Sequence, residues 1–253
     1  MEEAIFPSHN IDCGRRTGIL YIGSEFCQRR LPAKADMESL LSEYNGKIVL
    51  VTPHITDAGA GRVEELLEIL AGSQREYEVV INDWGILNML IVKNVKARRI
   101  LGRIQVSRYL NKFHYEIPGA GSVNGGFTDF PPEFIQFAKF HGISAFEFNI
   151  PGHMLHTAET LRAEGISSHI YYPFAYLNMS RFCKWPSEYK AFMKSPDDGC
   201  SSECFSKIAV VHNAYMKEEM YAYENAYLMR MQEDAGYISE ISDRIVINEI
   251  PGL

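Results

Sequence analysis

The chain has 253 residues, of which 46% are hydrophobic and 23% are charged, the balance of a globular protein with one sizeable core. Its formal net charge of -7 disfavours broad electrostatic binding to nucleic acid. No apolar run reaches membrane-spanning length, and the start, MEEAIFPSHN, lacks the apolar segment of a signal peptide. Five cysteines are few for a disulfide scaffold and suit metal ligands in a reducing compartment, so we predict a cytoplasmic protein.

Strand-like and helix-like segments alternate along the chain. Apolar runs predict eight strands, at Thr17–Ser24, Lys47–Thr52, Tyr77–Ile81, Arg99–Val106, Ile143–Ile150, Ser168–Leu177, Ile208–His212 and Arg244–Asn248. Apolar residues at three- and four-residue steps predict helices at Asp36–Tyr44, Gly61–Ala71, Asp83 to about Val92, Pro132–Phe140, Ala158–Glu164 and Met216–Gln232. Repeated strand–helix units favour a parallel sheet, and eight of them in about 250 residues match a closed, TIM-like (β/α) barrel. The prediction is one α/β domain over residues 1–253, with an open doubly wound sheet as the alternative architecture.

The segment from Arg181 to Cys204 is rich in cysteine and reads as a loop. It holds Cys183, Cys200 and Cys204 among proline, glycine and polar residues, and Cys27 is a fourth candidate far away in GSEFCQRR. Four thiolates can complete the coordination of a [4Fe–4S] cluster or of a structural zinc ion. Unliganded thiols packed as small apolar residues are the alternative, which suits a polar loop poorly. The spacing predicts a metal site and does not choose between iron and zinc.

Polar side chains follow several of the predicted strands, and the C-terminal ends of the strands are where a (β/α) barrel has its functional residues. They are Glu25, His54, Asn82, Asp83, Glu147, Asn149, His212 and Asn213. We predict Glu25, Asp83 and Glu147 as catalytic or pocket residues, although Asp83 also suits a helix cap. His153 and His156 are three residues apart but have no third metal ligand nearby in the sequence.

Three motifs resemble the peptidase U32 family, in the branch that serves quinone biosynthesis. They are GSEFCQRR, the N-D-x-G at Asn82–Gly85, and R-F-C followed by C-x3-C within Arg181–Cys204. The resemblance implies a barrel-like scaffold with a [4Fe–4S] cluster and leaves Cys13 outside the ligand set. The cluster ligands that it implies are Cys27, Cys183, Cys200 and Cys204. It also implies oxygen-independent hydroxylation of a small aromatic substrate or an RNA base, by a subunit paired with a homologous U32-family protein.

Two functions of different class follow. In the first, the chain is a redox enzyme subunit, and Arg29, Arg30 and Arg181 offset the charge of about −2 that a four-thiolate cluster carries. In the second, it is a non-catalytic partner or scaffold protein in which a structural zinc ion holds the cysteine-rich loop. A peptidase is a third reading, without a legible HExxH or serine–histidine–acid arrangement. The Met216–Met231 stripe is predicted to pack on the barrel, with a protein interface as the alternative.

Overall fold

The computed structural model describes residues 1–7, 18–73, 75–109, 116–117, 121–122, 130–149, 154–180, 183, 185, 200, 204, 207–212, 219–231 and 235–250. Its strands are β1 (Glu2–Pro7), β2 (Ile19–Gly23), β3 (Lys47–Val51), β4 (Tyr77–Ile81), β5 (Arg98–Leu101), β6 (Glu116–Ile117), β7 (Gly121–Ser122), β8 (Ile143–Phe148), β9 (Ser167–Tyr172), β10 (Phe174–Met179), β11 (Ala209–Val211), β12 (Met220–Tyr223), β13 (Ala226–Arg230) and β14 (Arg244–Glu249). Its α-helices are α1 (Lys34–Glu43), α2 (Asp57–Gly72), α3 (Trp84–Val92), α4 (Arg103–Tyr109), α5 (Pro132–Phe140), α6 (Met154–Ala163) and α7 (Ala235–Ile241).

Eight of the strands close into a parallel barrel, in the order β1–β14–β9–β8–β5–β4–β3–β2. The predicted TIM-like (β/α) barrel and single domain are confirmed. The strand sequences are nearly continuous apolar runs because both faces are covered. One face fills the barrel interior, with Ala4, Tyr21, Val49, Val80, Ile100, Ala145, Tyr171 and Val246, and the other packs under the helices. No helix in the described part of the chain combines the length and apolar character needed to cross a membrane.

A second, antiparallel sheet lies over the C-terminal ends of the barrel strands. Its order is β10–β13–β12–β11. It shares an apolar cluster with three residues that follow barrel strands, namely Phe26, Ile104 and Ile250. The sheet therefore covers part of the mouth, the end of the barrel where function is expected.

The opposite end of the barrel is closed by buried charges. The fully buried guanidinium of Arg244 lies 2.5 Å from the Glu78 carboxylate and 2.6 Å from that of Glu2. Burial alone would raise the pKa of both carboxyls, but the hydrogen bonds and charge of Arg244 lower them below the usual value. These ion pairs occupy the N-terminal end of the barrel.

The eighth barrel strand is not the predicted one. Ile208–His212 contains only the short β11, which pairs with β12 at the edge of the second sheet. Its place in the barrel belongs to β1, which pairs with both β14 and β2. The sequence EEAIFP was overlooked because its first two residues are acidic, although alternate residues of the strand point inward.

Three other predicted elements are wrong in part. The Met216–Gln232 helix is replaced, in its described part, by the β12–β13 hairpin, since alternating tyrosines suit a strand as well as a helical stripe. The Arg99–Val106 strand ends at Leu101, because the chain turns at Gly102 and enters α4. The Ser168–Leu177 strand is divided into β9 and β10 at Pro173, which has no N–H for the ladder. Helix α7 was not predicted.

Candidate functional site

A buried ion pair occupies the mouth of the barrel. Glu25 follows β2, Arg103 begins α4, and both side chains are fully buried, with Nη2 2.7 Å from Oε2. Arg103 Nε lies 2.9 Å from Glu25 Oε1, and Nη1 donates to the carbonyl of Phe174 at 2.9 Å. The guanidinium carbon also lies 3.9 Å from the centre of the Tyr171 ring. Burial raises the pKa of Glu25, and the charge of Arg103 opposes that rise without cancelling it.

Arg103 was missed in the sequence, where it stood inside a predicted strand. The sequence signal that could have revealed it is Gly102, because a glycine after an apolar run can end a strand. Arg103 then follows Gly102 at the C-terminal end of β5. A Cβ at Gly102 would lie 2.1 Å from the side-chain oxygen of Asn82, so only glycine allows this close approach.

Glu147 lies deeper in the barrel, on the interior face of β8. Its Oε2 accepts a hydrogen bond of 3.1 Å from the Tyr171 hydroxyl, and its Oε1 has no hydrogen-bond partner among the described residues. Burial, followed by the negative charge of Glu25, raises the pKa of Glu147 to about 8. At neutral pH the carboxyl is therefore largely protonated and can donate a proton or a hydrogen bond.

Asp83 acts as the cap of α3 and as an anchor for the loop after β3. Its carboxylate accepts the backbone N–H of Gly85 at 2.8 Å and that of Ile55 at 3.3 Å, and His54 Nδ1 lies 3.3 Å away. Burial would raise the pKa of Asp83, but the hydrogen bonds from His54, Gly85 and Ile55 lower it below the usual value. All of its partners belong to the scaffold around the mouth.

The two predicted asparagines hold neighbouring backbone. Asn82 donates to the carbonyl of Thr52 at 3.0 Å and accepts the N–H of Ile104 at 3.3 Å. Asn149 bonds both the N–H and the carbonyl of Tyr176, which ties β8 to the second sheet. Both therefore shape the mouth.

Two of the predicted histidines, His156 and His212, lie away from the mouth. His212 is exposed beyond β11, outside the barrel, and His156 is exposed on α6. His153 and Asn213 lie outside the described residues.

A small cleft, open to solvent, lies between the strand ends and the β12–β13 turn. It is lined by Phe6, Pro7, Gly23, Glu25, Phe26, Arg30, Tyr223, Glu224 and Asn248. Asn248 is 4% exposed, and its Nδ2 has no hydrogen-bond partner among the described residues. Of the predicted catalytic residues, Glu25 lines this cleft, and neither Asp83 nor Glu147 does.

Cys27 lies at the edge of the mouth, and its backbone N–H donates to the Ser24 hydroxyl at 3.0 Å. Cys204 is buried, Cys183 is half-buried and Cys200 is exposed, and none of the four forms a disulfide. Cys13, Arg181 and most of the predicted cysteine loop lie outside the described residues. Among the residues that are described, no three His, Cys, Asp or Glu side chains are grouped so as to hold a metal ion.

The pKa values of Cys27 and Cys204 are raised by their surroundings. Burial, the Glu224 carboxylate and the charges of Cys204 and Cys200 together raise the pKa of Cys27 to about 12. Burial and Glu224 also raise the pKa of Cys204 to about 11, with smaller contributions from Cys183 and Cys200 and an opposing one from Arg30. With such pKa values, Cys27 and Cys204 are protonated at neutral pH when no metal is bound.

Glu224 is the main residue that the sequence prediction missed. It is 4% exposed at the β12–β13 turn, and its Oε1 lies 3.0 Å from Nη1 of Arg30. Burial raises the pKa of Glu224, and the charge of Arg30 opposes the rise. The signal that could have found it is the pair Glu224–Asn225, which interrupts an alternation of tyrosine and apolar residues.

No protein-family model and no curated protein matches the chain. A solved structure described as that of the U32 peptidase Mk0906 aligns with 98% of this chain and 92% of its own length, at 9% sequence identity and a TM-score of 0.49. The fold described above is established by the strand pairing of this chain itself.

Proposed function

We propose that the chain is an iron–sulfur protein in which Cys27, Cys183, Cys200 and Cys204 hold a [4Fe–4S] cluster. It takes part in oxygen-independent hydroxylation of a small aromatic or nucleobase substrate. It works as a subunit with a homologous U32-family partner, in the way that UbiV pairs with UbiU. The observation that supports the proposal is geometric: Cys27 lies beside the mouth of a (β/α) barrel, and the turn that contacts its segment also bonds the chain on both sides of Cys183.

The chemistry of the donor set suits such a cluster, and metal binding would have to draw together thiols that the described residues do not group. Four sulfurs from one segment near β2 and one segment after β10 can supply the four thiolates that it needs. Arg30 lies within electrostatic reach of Cys27 and Cys204, and its charge would offset that of the thiolates. When bound, the cluster would supply one-electron chemistry.

The other mouth residues suit a site for proton and electron chemistry. The Glu25–Arg103 pair places no net charge there and is held by hydrogen bonds on several sides. Glu147, which is largely protonated at neutral pH, can hold a proton at Oε2 or Oε1 within the barrel. The second sheet covers part of the mouth with apolar side chains.

Anaerobic reductive titration tests the proposal. A redox-active cluster bleaches on addition of dithionite and becomes paramagnetic, because it accepts one electron. Protein that contains metal but shows neither change would contradict the redox role.

The second candidate is a partner or scaffold protein with a structural zinc ion at the same cysteines. The observation that favours it is that hydrogen bonds hold the chain on both sides of Cys183 against the second sheet. A metal ion that only fixes this segment in place would act at the same position. Stoichiometric zinc without sulfide would support this candidate.

A further inference from the structure

The turn between β12 and β13 is buried in the mouth of the barrel. Glu224 and Asn225, which form it, are only 4% and 7% exposed. Glu224 also has a φ of 48°, a left-handed conformation that is unfavourable for a residue other than glycine. A buried carboxylate in such a turn needs compensating contacts, and those contacts lead to the two segments that carry Cys27 and Cys183.

The first set of contacts fixes the Cys27 segment. The Ser24 hydroxyl donates to Glu224 Oε2, and the same hydroxyl oxygen accepts the N–H of Cys27 at 3.0 Å. On the other side of Cys27, Nη1 of Arg30 lies 3.0 Å from Glu224 Oε1. Asn225 Nδ2 adds a hydrogen bond of 3.4 Å to the carbonyl directly before Cys27.

The second set of contacts fixes the segment around Cys183. The N–H of Ser180 donates to the carbonyl of Asn225 at 2.9 Å. The indole Nε1 of Trp185 donates to the carbonyl of Glu224 at 2.8 Å. The turn therefore holds the chain three residues before Cys183 and two residues after it.

We propose that the Glu224–Asn225 turn is a clamp that positions Cys27 and Cys183 relative to each other for metal binding, with Glu224 as a positioning residue. This inference rests on the proposed metal site. A turn that served only to close its hairpin would have no need for contacts to segments about 40 and 200 residues away in sequence. Partners of this kind in an outer shell typically change metal affinity by about 10- to 100-fold when they are removed.

Two measurements on each variant test the clamp. The chain has two tryptophans, so Trp84→Phe leaves Trp185 as the only indole, and its quenching by iodide in the metal-free protein reports whether it is held at the turn. Anaerobic titration with Co²⁺ alone, followed by sulfur-to-cobalt charge-transfer absorbance, reports the affinity of the cysteine set. The variants are Glu224→Ala, Glu224→Gln and Asn225→Ala, with Glu219→Ala as the exposed control on the same hairpin.

In Glu224→Ala we expect Trp185 to become accessible and Co²⁺ affinity to fall by about 10- to 100-fold. Glu224→Gln keeps an oxygen that can accept the Ser24 hydrogen bond, so it should retain most of the shielding of Trp185 and most of the Co²⁺ affinity. Asn225→Ala should reduce both the shielding and the affinity less than Glu224→Ala does. If Glu224→Ala does not fold, Asn225→Ala decides the question.

Unchanged Co²⁺ affinity in the alanine variants, or a loss of affinity with Trp185 still shielded, would overturn the clamp. Failure of the metal site itself has a different signature, because the unmodified chain would then bind no Co²⁺.

Discussion

Loss of Arg103 is expected to destabilise the protein strongly, because it leaves Glu25 buried without a countercharge. Arg103→Met keeps much of the side-chain volume but removes three contacts to the carboxylate, of 2.7, 2.9 and 3.1 Å, and the hydrogen bond to the Phe174 carbonyl. Removing one partner of a buried ion pair typically costs about 3–5 kcal/mol. Urea unfolding followed by circular dichroism measures the change in the free energy of unfolding.

Two controls make this prediction specific. Lys139→Met breaks the exposed ion pair with Glu164 and should cost at most about 1 kcal/mol. The double variant Glu25→Gln with Arg103→Met removes the unpaired charge and should be more stable than Arg103→Met alone. The reasoning is refuted if Arg103→Met costs no more than Lys139→Met, or if the double variant gains nothing over the single one.

Three further predictions concern backbone strain, pH and the metal ligands. Gly23→Ala should lower the free energy of unfolding, measured in urea, by about 2–4 kcal/mol, because the residue has a φ of 107° and a Cβ would lie 2.2 Å from a strand carbonyl. Gly61→Ala, which has open space around it in α2, should instead stabilise by about 0.5–1 kcal/mol. Equal effects of the two substitutions would contradict the backbone strain at Gly23. Because burial raises the pKa of Glu147 to about 8 from its usual value of 4.5, its burial costs little below pH 4.5, and its contribution should lower stability by roughly 3–5 kcal/mol as the pH rises to 8. Glu147→Gln should remove this contribution, and parallel pH profiles for the two proteins would refute it. Cys204→Ser should lower metal content and melting temperature more than Cys13→Ser, and equal losses would show that the ligand set is misassigned.

The barrel could be predicted because its physical signal is repeated along the chain. Runs such as Lys47–Thr52 and Tyr77–Ile81 are apolar on both faces, and each is followed by a helical stripe. The wrong elements are those in which two periodicities fit the same residues. Tyr223 and Tyr227 suit a helix at four-residue spacing, but in the folded chain they belong to the two strands of a hairpin.

The site could be predicted only where a residue follows a recognisable strand. Glu25 and Glu147 were predicted on this basis, and the structure shows that both are buried at strand ends or inside the barrel, while their role stays a prediction. Arg103 and Glu224 were missed, because each depends on a chain reversal placed inside a predicted regular element. Their partners are also distant in sequence, since Ser24 and Glu224 are 200 residues apart, and a single sequence does not show such a pairing.

The measurement that tests the central claim most directly is iron, sulfide and zinc analysis of the anaerobically purified chain, together with its absorbance spectrum. We predict about four iron and four sulfide per chain and a broad band near ~400 nm from sulfur-to-iron charge transfer, all lost when Cys27 and Cys204 are both replaced by serine. Stoichiometric zinc without sulfide, or iron that persists in the double serine variant, would contradict the assignment of these cysteines to an iron–sulfur cluster.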